Sequence, residues 1–566
     1  MIDAIKLELK NKLQEYYKEK YDLELQIVVE EPKNPTLGDI SIPMFTIVKA
    51  LRKPMPEIVQ EAVDTITKYD LPILSIKPVG AFVNLFVDKS LLSLSIIKDS
   101  LIKEDKFGES KIGNGKNVTL DYSSPNIAKS FSIGHLRSTM IGNSLKLIMQ
   151  KCGYNTYAIN YLGDWGTQFG KMIVAYKKWG DKAVIMADPI NELTRLYVKF
   201  HEEAEANPAL EDEAREAFRK MELNDKEYLE LWQWIKDESL KESAQIYDLL
   251  EISFDSFNGE AFFNDKMDPV VDELEAKGLL VEDQGAKIVE LGDDIPPALI
   301  KRSDGGSLYI TRDLAAVFYR KNEYKFDKIL YVVGNEQKLH FNQLKRVIDK
   351  MGYDFSSQVE HVNFGLYLTN GKKASTRKGN VVKLYDVLQT AIKLAYDLID
   401  AKNPDLANKE EIAKYVGIAA IVFGDLKNFR GLDVEFNIEQ SVKFEGQTGP
   451  YLQYTGVRIA SILRNKEFDI NNCDASLFEK AHYFEIVKQV AAFKSTIEKA
   501  AAEYAPSVIA KYLLGLASSF NKFYSIEKIN AEDEKIRNTN FALAKSVRIV
   551  LNEGLRLLGI KYLEEM

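Results

Sequence analysis

Cysteine and histidine are scarce in this sequence of 566 residues, which has two cysteines and five histidines. Cys152 and Cys473 lie too far apart to define a disulfide framework or a zinc site, and no two histidines have the short spacing of a zinc-binding helix. No stretch offers the ~20 apolar residues of a membrane span. The amino terminus also lacks the apolar core and the cleavage site of a signal peptide. The sequence therefore predicts a cytoplasmic protein without a protein-held transition metal.

The charge balance and the length limit the kind of partner and the number of domains. The formal net charge is −9, whereas proteins that bind nucleic acid indiscriminately cluster lysine and arginine. An RNA partner would therefore need a local basic surface within an acidic whole. A chain of this length exceeds what one hydrophobic core usually supports, so we expect roughly two to four domains.

The first part of the chain predicts a small α/β domain. It begins with a helix-like stretch, and AFVNLFVD at 81–88 alternates apolar and polar residues as a strand does. Glycine, serine, lysine and asparagine then crowd together at 108–118, which is typical of a loop between domains. We place this first domain at 1–112.

The next part predicts a parallel sheet flanked by helices. Strand-like runs at 118–124 and 154–162 enclose apolar residues at helical spacing from Leu136 to Met149, which together form a βαβ unit. Such a crossover predicts a doubly wound α/β fold. We place this second domain at 113–435, where four further strand-like runs could complete the sheet, at 287–291, 307–311, 328–334 and 362–368.

Helical composition dominates the remaining regions. From about 171 to 252 the chain is rich in glutamate, lysine, alanine and leucine, which favours amphipathic helices. We interpret this stretch as a helical insertion in the second domain. Beyond about 410 nearly every segment has a helical pattern, so the third domain, at 436–566, is predicted to be an all-α bundle.

The most informative segment is DYSSPNIAKSFSIGHLRST at 121–139, called the signature segment below. It lies where a strand passes into a helix amino terminus, and free N–H groups at such a terminus favour phosphate. Gly134 would permit close approach of a flat ligand, and His135 could donate a hydrogen bond to charge that develops on it. For an isolated Gly-His pair, a tight turn with a capping serine would be the better interpretation.

A second segment, GKKASTRKGNVVKL at 371–384, is called the basic loop below. Its lysines and arginine could clamp phosphate groups. Alone, such a charge run would more often be a solvated turn.

Together the two segments resemble the arginyl-tRNA synthetases, a family of class I aminoacyl-tRNA synthetases. The signature segment is similar to the class I consensus His-x-Gly-His, with Ser132 in place of the first histidine. The basic loop is similar to the class I sequence Lys-Met-Ser-Lys-Ser, aligned here with residues 373–377, but its second lysine is missing. The resemblance implies that Lys129 supplies the missing charge, with Arg377 or Lys378 able to share that role.

The resemblance also implies a set of site residues. The residues implied in catalysis are His135, Lys129, Ser132 and Lys373. Those implied to bind ATP are Gly134, His135, His340, Lys373, Ser375, Thr376 and Arg377. Those implied to bind arginine are Asp121, Ser124, Asn126, Tyr309, Asp313 and Gln337.

Carboxylates suit a guanidinium because they accept its parallel N–H donors. Tyr309 and Asp313 would share a helical face if a helix begins there. The resemblance implies that Tyr309 and Asp313 contact the guanidinium, whereas Asp121 and Asn126 hold the amino group and neighbouring polar atoms of the substrate. Both carboxylates also allow plainer interpretations, because Asp313 could merely cap a helix and Asp121 could merely end a strand. Likewise GDWGTQFG at 163–170, which recurs in the family, could be functional or purely structural.

Contacts with tRNA are implied at both ends of the chain. Phe82 and Asn84 resemble family residues that hold a base of the tRNA D-loop, although Phe82 could equally belong to the core. The carboxy-terminal bundle resembles the family's anticodon-binding domain, and FEGQTGPYLQYTGVR at 444–458 matches it closely. Gly456 departs from the histidine found in many relatives.

The implied function is ligation of arginine to tRNA(Arg). The implied substrates are arginine, ATP and tRNA, with Mg²⁺ as the cofactor, and the protein is expected to be a monomer. Two alternatives stand beside it: a class I synthetase for another amino acid, and a catalytically inactive relative that binds RNA. Ser132 and Thr376 favour the inactive alternative, whereas His135 and Lys129 argue against it.

Overall fold

The computed structural model describes residues 2–127, 131–302, 309–369, 372–373, 383–435 and 437–566. The chain divides into two compact units. The first contains Met1–Phe107, Arg458–Lys494 and Gly515–Leu551, and the second contains Gly108–Val457, Ser495–Leu514 and Asn552–Met566. Among the helices of the described residues, none has the length and the apolar character needed to cross a membrane.

The strands, in chain order, are β1 (Ile40–Pro43), β2 (Ile73–Val79), β3 (Phe82–Val87), β4 (Asn117–Asp121), β5 (Asn155–Ile159), β6 (Val281–Asp283), β7 (Ala286–Val289), β8 (Ala298–Lys301), β9 (Lys328–Tyr331), β10 (Val359–His361), β11 (Tyr367–Thr369), β12 (Lys372–Lys373) and β13 (Val434–Glu435).

The α-helices, in chain order, are α1 (Ile2–Tyr21), α2 (Phe45–Leu51), α3 (Met55–Ile66), α4 (Lys89–Lys103), α5 (Ile133–Lys151), α6 (Thr167–Trp179), α7 (Lys182–Ala187), α8 (Pro189–Ala206), α9 (Ala209–Glu222), α10 (Lys226–Leu249), α11 (Met267–Ala276), α12 (Tyr309–Tyr324), α13 (Lys338–Lys350), α14 (Leu384–Lys402), α15 (Lys409–Leu426), α16 (Ile438–Ser441), α17 (Gly449–Leu463), α18 (Ala481–Ala491), α19 (Phe493–Ala502), α20 (Pro506–Ile526) and α21 (Glu534–Leu557).

The amino-terminal part of the first unit is a small antiparallel sheet with helices, as its sequence predicts. The strand order is β1-β3-β2, so β3 pairs on both sides. Val83, Leu85 and Val87 are buried at alternate positions of β3, which is the period of a strand with one face in a core. The strand predicted at 81–88 is therefore confirmed.

The second unit contains the predicted parallel sheet, in the order β10-β9-β4-β5. α5 connects β4 to the neighbouring β5, so the βαβ prediction is confirmed. The helix lies close to the sheet because Gly142 has no side chain. A Cβ at this position would lie 2.1 Å from Cγ of Tyr122, the residue that follows β4.

The sheet has fewer strands than the sequence pattern predicts. Of the four candidate runs, 328–334 supplies β9, whereas 287–291 supplies β7 of a separate antiparallel sheet, β6-β7-β8. In 362–368 only the last two residues are strand, in β11. The strand predicted at 307–311 is wrong from Tyr309 onward, because α12 begins there and buries Ile310, Leu314 and Val317 at helical spacing. Tertiary burial therefore overrides the β-propensity of Tyr-Ile-Thr.

The helical insertion is also confirmed, as α6 to α10. Its core includes Phe169, Ile173, Leu196, Phe200 and Ile235. α10 begins sharply because the Asp225 carboxylate accepts hydrogen bonds from the N–H groups of Glu227 and Tyr228, which is a favourable helix cap. Beyond residue 436, the elements of the described residues are helices, as predicted for the third domain.

Candidate active site

A sharp turn follows β4 and begins the signature segment. Ser123 and Ser124 have φ angles of +71° and +45°, which are unfavourable for residues other than glycine. Side chains from two other elements hold this conformation: Ser138 Oγ accepts the Ser123 N–H at 2.9 Å, and Asn160 Oδ1 accepts the Ser124 N–H at 3.2 Å. The turn is therefore fixed against both α5 and the residue that follows β5.

Asp121, at the end of β4, lies inside the protein and forms an ion pair. Its Oδ2 is 2.7 Å from Nη1 of Arg320 on α12, and both side chains are almost completely buried. Ser124 Oγ donates a hydrogen bond to the other carboxylate oxygen at 2.9 Å. Burial alone would lower the pKa of Arg320, but the Asp121 carboxylate raises it above the ordinary value. The negative charge of Asp121 is thus balanced by a cation of the protein itself.

The start of α5 orients His135. The Ser132 N–H donates to His135 Nδ1 at 3.0 Å, and Ser132 Oγ lies 3.2 Å from the same nitrogen. Since Nδ1 accepts a hydrogen bond, the proton of the neutral ring lies on Nε2. Ser132, predicted to take part in catalysis, therefore fixes the tautomer and orientation of His135.

Gly134 lies on the exposed side of this first helical turn. A Cβ at this position would meet only Ser132 Oγ, at an ordinary distance of 3.5 Å. Internal packing therefore does not require a glycine here, and the space above it is available to a ligand.

The amino-terminal ends of α12 and α13 bring together two of the predicted substrate residues. Asp313 Oδ2 is 2.6 Å from Nε2 of His340, and both side chains are about one-fifth exposed. Tyr309 lies one turn before Asp313 and is 68% exposed, so the predicted shared helical face is confirmed. Gln337 ends a short 3-10 helix and is exposed. Asn126 is half-buried and pairs through its backbone with Gly163.

The structure adds a carboxylate near Asp313 that the sequence pattern does not reveal. Glu260 begins a 3-10 helix (Glu260–Lys266), and its Oε2 is 3.6 Å from Nη1 of Arg312. Burial raises the pKa of Glu260 to about 7, Arg312 opposes that rise, and Asp313 adds to it. In the sequence, Glu260 stands in a short Gly-Glu turn. A turn has no helical or strand periodicity that would have singled this residue out.

The signature segment and the end of the basic loop meet in space. Ser132 forms an antiparallel bridge with Lys383, and the Leu384 N–H donates to the Phe131 carbonyl at 2.9 Å. At its other end the loop begins with β12, which pairs with β11. Four of the predicted phosphate-contacting residues lie outside the described residues, namely Lys129, Ser375, Thr376 and Arg377; the side chain of Lys373 does so too.

Arg137, within the signature segment, connects α5 to the strand that leads into the basic loop. Its guanidinium is buried 2.9 Å from the Asp425 carboxylate on α15. It also donates to the Leu432 carbonyl at 2.8 Å, two residues before β13, and β13 pairs with β11. This cluster gives the active-site elements a common internal anchor.

The contacts of GDWGTQFG favour its structural interpretation. Asp164 is buried, pairs with Lys236 of α10 at 2.6 Å, and accepts the Ala261 N–H at 2.9 Å. Gly170 permits close packing of α6 on α9, because a Cβ there would lie 2.1 Å from the Ala214 carbonyl oxygen. These contacts hold the insertion helices together.

The two predicted tRNA residues lie on β3 of the first unit. Phe82 is half-buried and makes an edge contact with the exposed ring of Phe45 at 5.5 Å. Asn84 is buried, and its Oδ1 accepts a hydrogen bond from Ser41 Oγ at 2.7 Å. Phe82 thus offers part of its ring to solvent, whereas Asn84 lies beneath the surface.

Comparisons with known proteins give the family. A model of the catalytic domain of class I tRNA synthetases (R) matches residues 96–438, a model of the arginyl tRNA synthetase N-terminal domain matches 3–87, and a model of the DALR anticodon binding domain matches 452–566. The chain is 50% identical over 542 residues to an arginine–tRNA ligase of Latilactobacillus sakei, which covers 95% of each chain. The chain belongs to the arginyl-tRNA synthetase family. A similar relative, from Enterococcus faecalis, is 50% identical over 544 residues, 96% of each chain.

The solved structures agree with the fold of an arginyl-tRNA synthetase. The Thermus thermophilus arginyl-tRNA synthetase has a TM-score of 0.80 and 23% identity, over 99% of this chain and all of that one. This likeness confirms the predicted architecture of a parallel-sheet catalytic region with a helical carboxy-terminal region. The catalytically inactive alternative receives no support from these comparisons.

Proposed function

We propose that the chain ligates arginine to tRNA(Arg) in two steps, both of them at the carboxyl edge of the sheet β10-β9-β4-β5. The observation that carries the proposal is the backbone contact between the signature segment and the end of the basic loop. In this family the two segments surround ATP, and here they are adjacent although far apart in sequence.

In the first step, a carboxylate oxygen of arginine attacks the α-phosphorus of ATP. The bond from that phosphorus to the bridging oxygen breaks, so arginyl-adenylate forms and pyrophosphate leaves. No side-chain nucleophile is needed, and the protein contributes position and charge. The amino terminus of α5 and Nε2–H of His135 donate hydrogen bonds to the phosphate oxygens, and Lys129 and Lys373 add positive charge.

Recognition of arginine is assigned to the region around Asp313. Its carboxylate, with the Tyr309 hydroxyl, accepts N–H groups of the guanidinium, while Gln337, Asn126 and Ser124 face the α-amino and carboxylate end. Glu260 lies near Asp313 and adds negative charge there only in its ionised form, because its pKa is raised to about 7. A substrate lysine would satisfy these acceptors poorly because it lacks the planar fork of donors.

ATP is the co-substrate, and Mg²⁺ is the proposed cofactor. Asp121 and Asp313, the two predicted site carboxylates, are already paired with Arg320 and His340. Because Mg²⁺ readily takes phosphate oxygens and water as ligands, the oxygens of ATP would hold it. The metal would supply charge neutralisation on the phosphates.

In the second step, the 2′-hydroxyl of the terminal adenosine of tRNA attacks the activated carbonyl, and AMP leaves. Phe82 is assigned to stacking on a tRNA base, and Asn84 to reading its edge after a local rearrangement, because it is buried. We retain the domain limits 1–112, 113–435 and 436–566. We also propose a monomer that acts in the cytoplasm.

The test is arginine-dependent ATP–pyrophosphate exchange with and without tRNA, followed by charging of total tRNA with each amino acid. We expect charging by arginine alone and its loss in His135→Ala and Asp313→Ala. Asp272→Ala, at an exposed position of α11, is a matched control that should retain activity. A folded protein that binds tRNA but charges no amino acid would restore the inactive alternative.

A further inference from the structure

α10, the last helix of the insertion, supports the signature segment at two places. Near the start of the segment, the Tyr247 hydroxyl lies 2.7 Å from Ser123 Oγ and accepts a hydrogen bond from Asn160 Nδ2 at 2.9 Å. Near the start of α5, Glu242 Oε1 accepts the Phe131 N–H at 3.3 Å. The same helix therefore contacts both the turn after β4 and the entrance to α5.

Phe131 is fixed from three directions. Its N–H faces Glu242, its carbonyl accepts the Leu384 N–H, and its ring packs 5.0 Å from the His135 ring and 5.7 Å from the Tyr247 ring. It immediately precedes Ser132, which orients His135. A movement of the Phe131 backbone would therefore be transmitted directly to the first turn of α5.

The contacts of Glu242 do not suggest that it stabilises the folded protein. It is 8% exposed, and burial raises its pKa above the ordinary value, opposed by the Phe131 N–H and by Lys383. A buried carboxylate lowers stability unless strong partners compensate for its lost hydration. At 3.3 Å, the hydrogen bond from Phe131 is long for an N–H···O contact.

We infer that Glu242 is a positioning residue for arginine activation, which holds the Phe131 peptide and thereby sets Ser132 and His135 toward ATP. This inference rests on the proposed function. It gives the insertion a part in catalysis, since its last helix aligns the segment that contacts ATP. Glu242 itself is not expected to touch a substrate.

The first experiment compares Glu242→Leu with Glu242→Gln in the full-length chain. In Glu242→Leu, we expect the kcat of arginine-dependent pyrophosphate exchange to fall about 10- to 100-fold, because small misplacements of reacting groups have effects of this size. The KM for arginine should stay within about twofold, because no arginine contact is removed. Glu242→Gln retains an acceptor oxygen and should restore most of the lost kcat.

The matched control is Glu238→Gln, one turn earlier on α10. Glu238 is also buried and pairs with Lys241 at 2.6 Å. It should retain the wild-type kcat, and urea unfolding of all variants separates a loss of fold from a loss of alignment.

A double-variant cycle tests whether Glu242 acts through His135. If it does, Glu242→Leu should reduce kcat by less than about twofold in a His135→Asn background, since coupled residues are not additive. Full additivity of the reductions in kcat caused by Glu242→Leu and by His135→Asn would overturn the inference. A wild-type kcat in Glu242→Leu would also overturn it. So would a loss of kcat in Glu242→Gln equal to that in Glu242→Leu. Absence of exchange in the wild-type chain even with tRNA present would instead reject the proposed function.

Discussion

The end of β4 and the start of α12 each present a carboxylate that the sequence assigns to arginine, yet the two differ in their partners. Asp121 is 3% exposed and paired with Arg320. The Asp313 side chain is 23% exposed and contacts His340. A guanidinium is always charged in proteins, whereas an imidazole is charged only when protonated.

This difference assigns the two aspartates different tasks. A substrate amino group at Asp121 would have to share that carboxylate with the buried guanidinium of Arg320. At Asp313 the partner is an imidazole, which carries no permanent positive charge and so competes less with a substrate cation. We therefore expect Asp313 to bind a substrate cation more strongly than Asp121 does.

The largest expected effect is on stability, in Arg320→Met. This change leaves the Asp121 carboxylate buried without its cation, so the free energy of unfolding should fall by about 3–5 kcal/mol. Urea denaturation measures the change. The double variant Arg320→Met with Asp121→Leu should recover a large part of the loss, because it removes the buried charge as well. A single variant within about 1 kcal/mol of wild type would contradict the internal pairing.

Asp313→Ala should show the opposite profile, with a loss of activity and little loss of stability. Removing a charged acceptor for the guanidinium should lower kcat/KM for arginine about 100-fold, near 3 kcal/mol. The free energy of unfolding should change by less than about 1 kcal/mol, since the side chain is partly exposed. Steady-state exchange kinetics and urea unfolding test both halves. Asp313→Asn retains the shape and should lie between wild type and alanine.

Glu260 is expected to have an intermediate effect on the free energy of unfolding, and this effect should depend on pH. In the folded protein its pKa is about 7, whereas its ordinary value is 4.5. Between these values the folded state binds more protons than the unfolded state, so stability falls as pH rises from about 4.5 to 7. Glu260→Gln should remove about 2 kcal/mol of that fall, allowing for partial exposure. Urea unfolding at pH 5 and pH 8 compares wild type with Glu260→Gln. An equal change in the free energy of unfolding between the two pH values in both proteins would contradict the raised pKa.

The smallest effect is expected for Ser124→Ala. The lost hydrogen bond to Asp121 should lower the free energy of unfolding by about 1 kcal/mol. Because Ser124 is also proposed to face the amino end of arginine, the KM for arginine should rise by more than about twofold. A change in KM below about twofold would mean that Ser124 serves Asp121 alone. Ser124→Thr, which retains the hydroxyl, is the control for stability.

The sequence predicts local structure well where the pattern is local. β4, α5 and β5 follow one another within a short stretch, and the motif that contains His135 lies at their junction. Distant pairings were not predictable, because Asp121 meets Arg320 and Glu260 meets Arg312 only after the chain folds. From Tyr309 onward, the strand predicted at 307–311 is wrong for the same reason, since the environment around α12 decides the conformation there. The roles assigned to the site residues, including Phe82, Asn84 and the basic loop, stay predictions.

The buried contacts of Arg137 also constrain how this protein forms during synthesis. The hydrogen bond to the Leu432 carbonyl spans 295 residues of chain. At translation rates of about 5–20 residues per second, roughly 15–60 s pass between synthesis of Arg137 and of its partner. During that interval the nascent parallel sheet lacks the Arg137 contacts that anchor α5. Full assembly of the active site is therefore expected only after most of the chain has been translated.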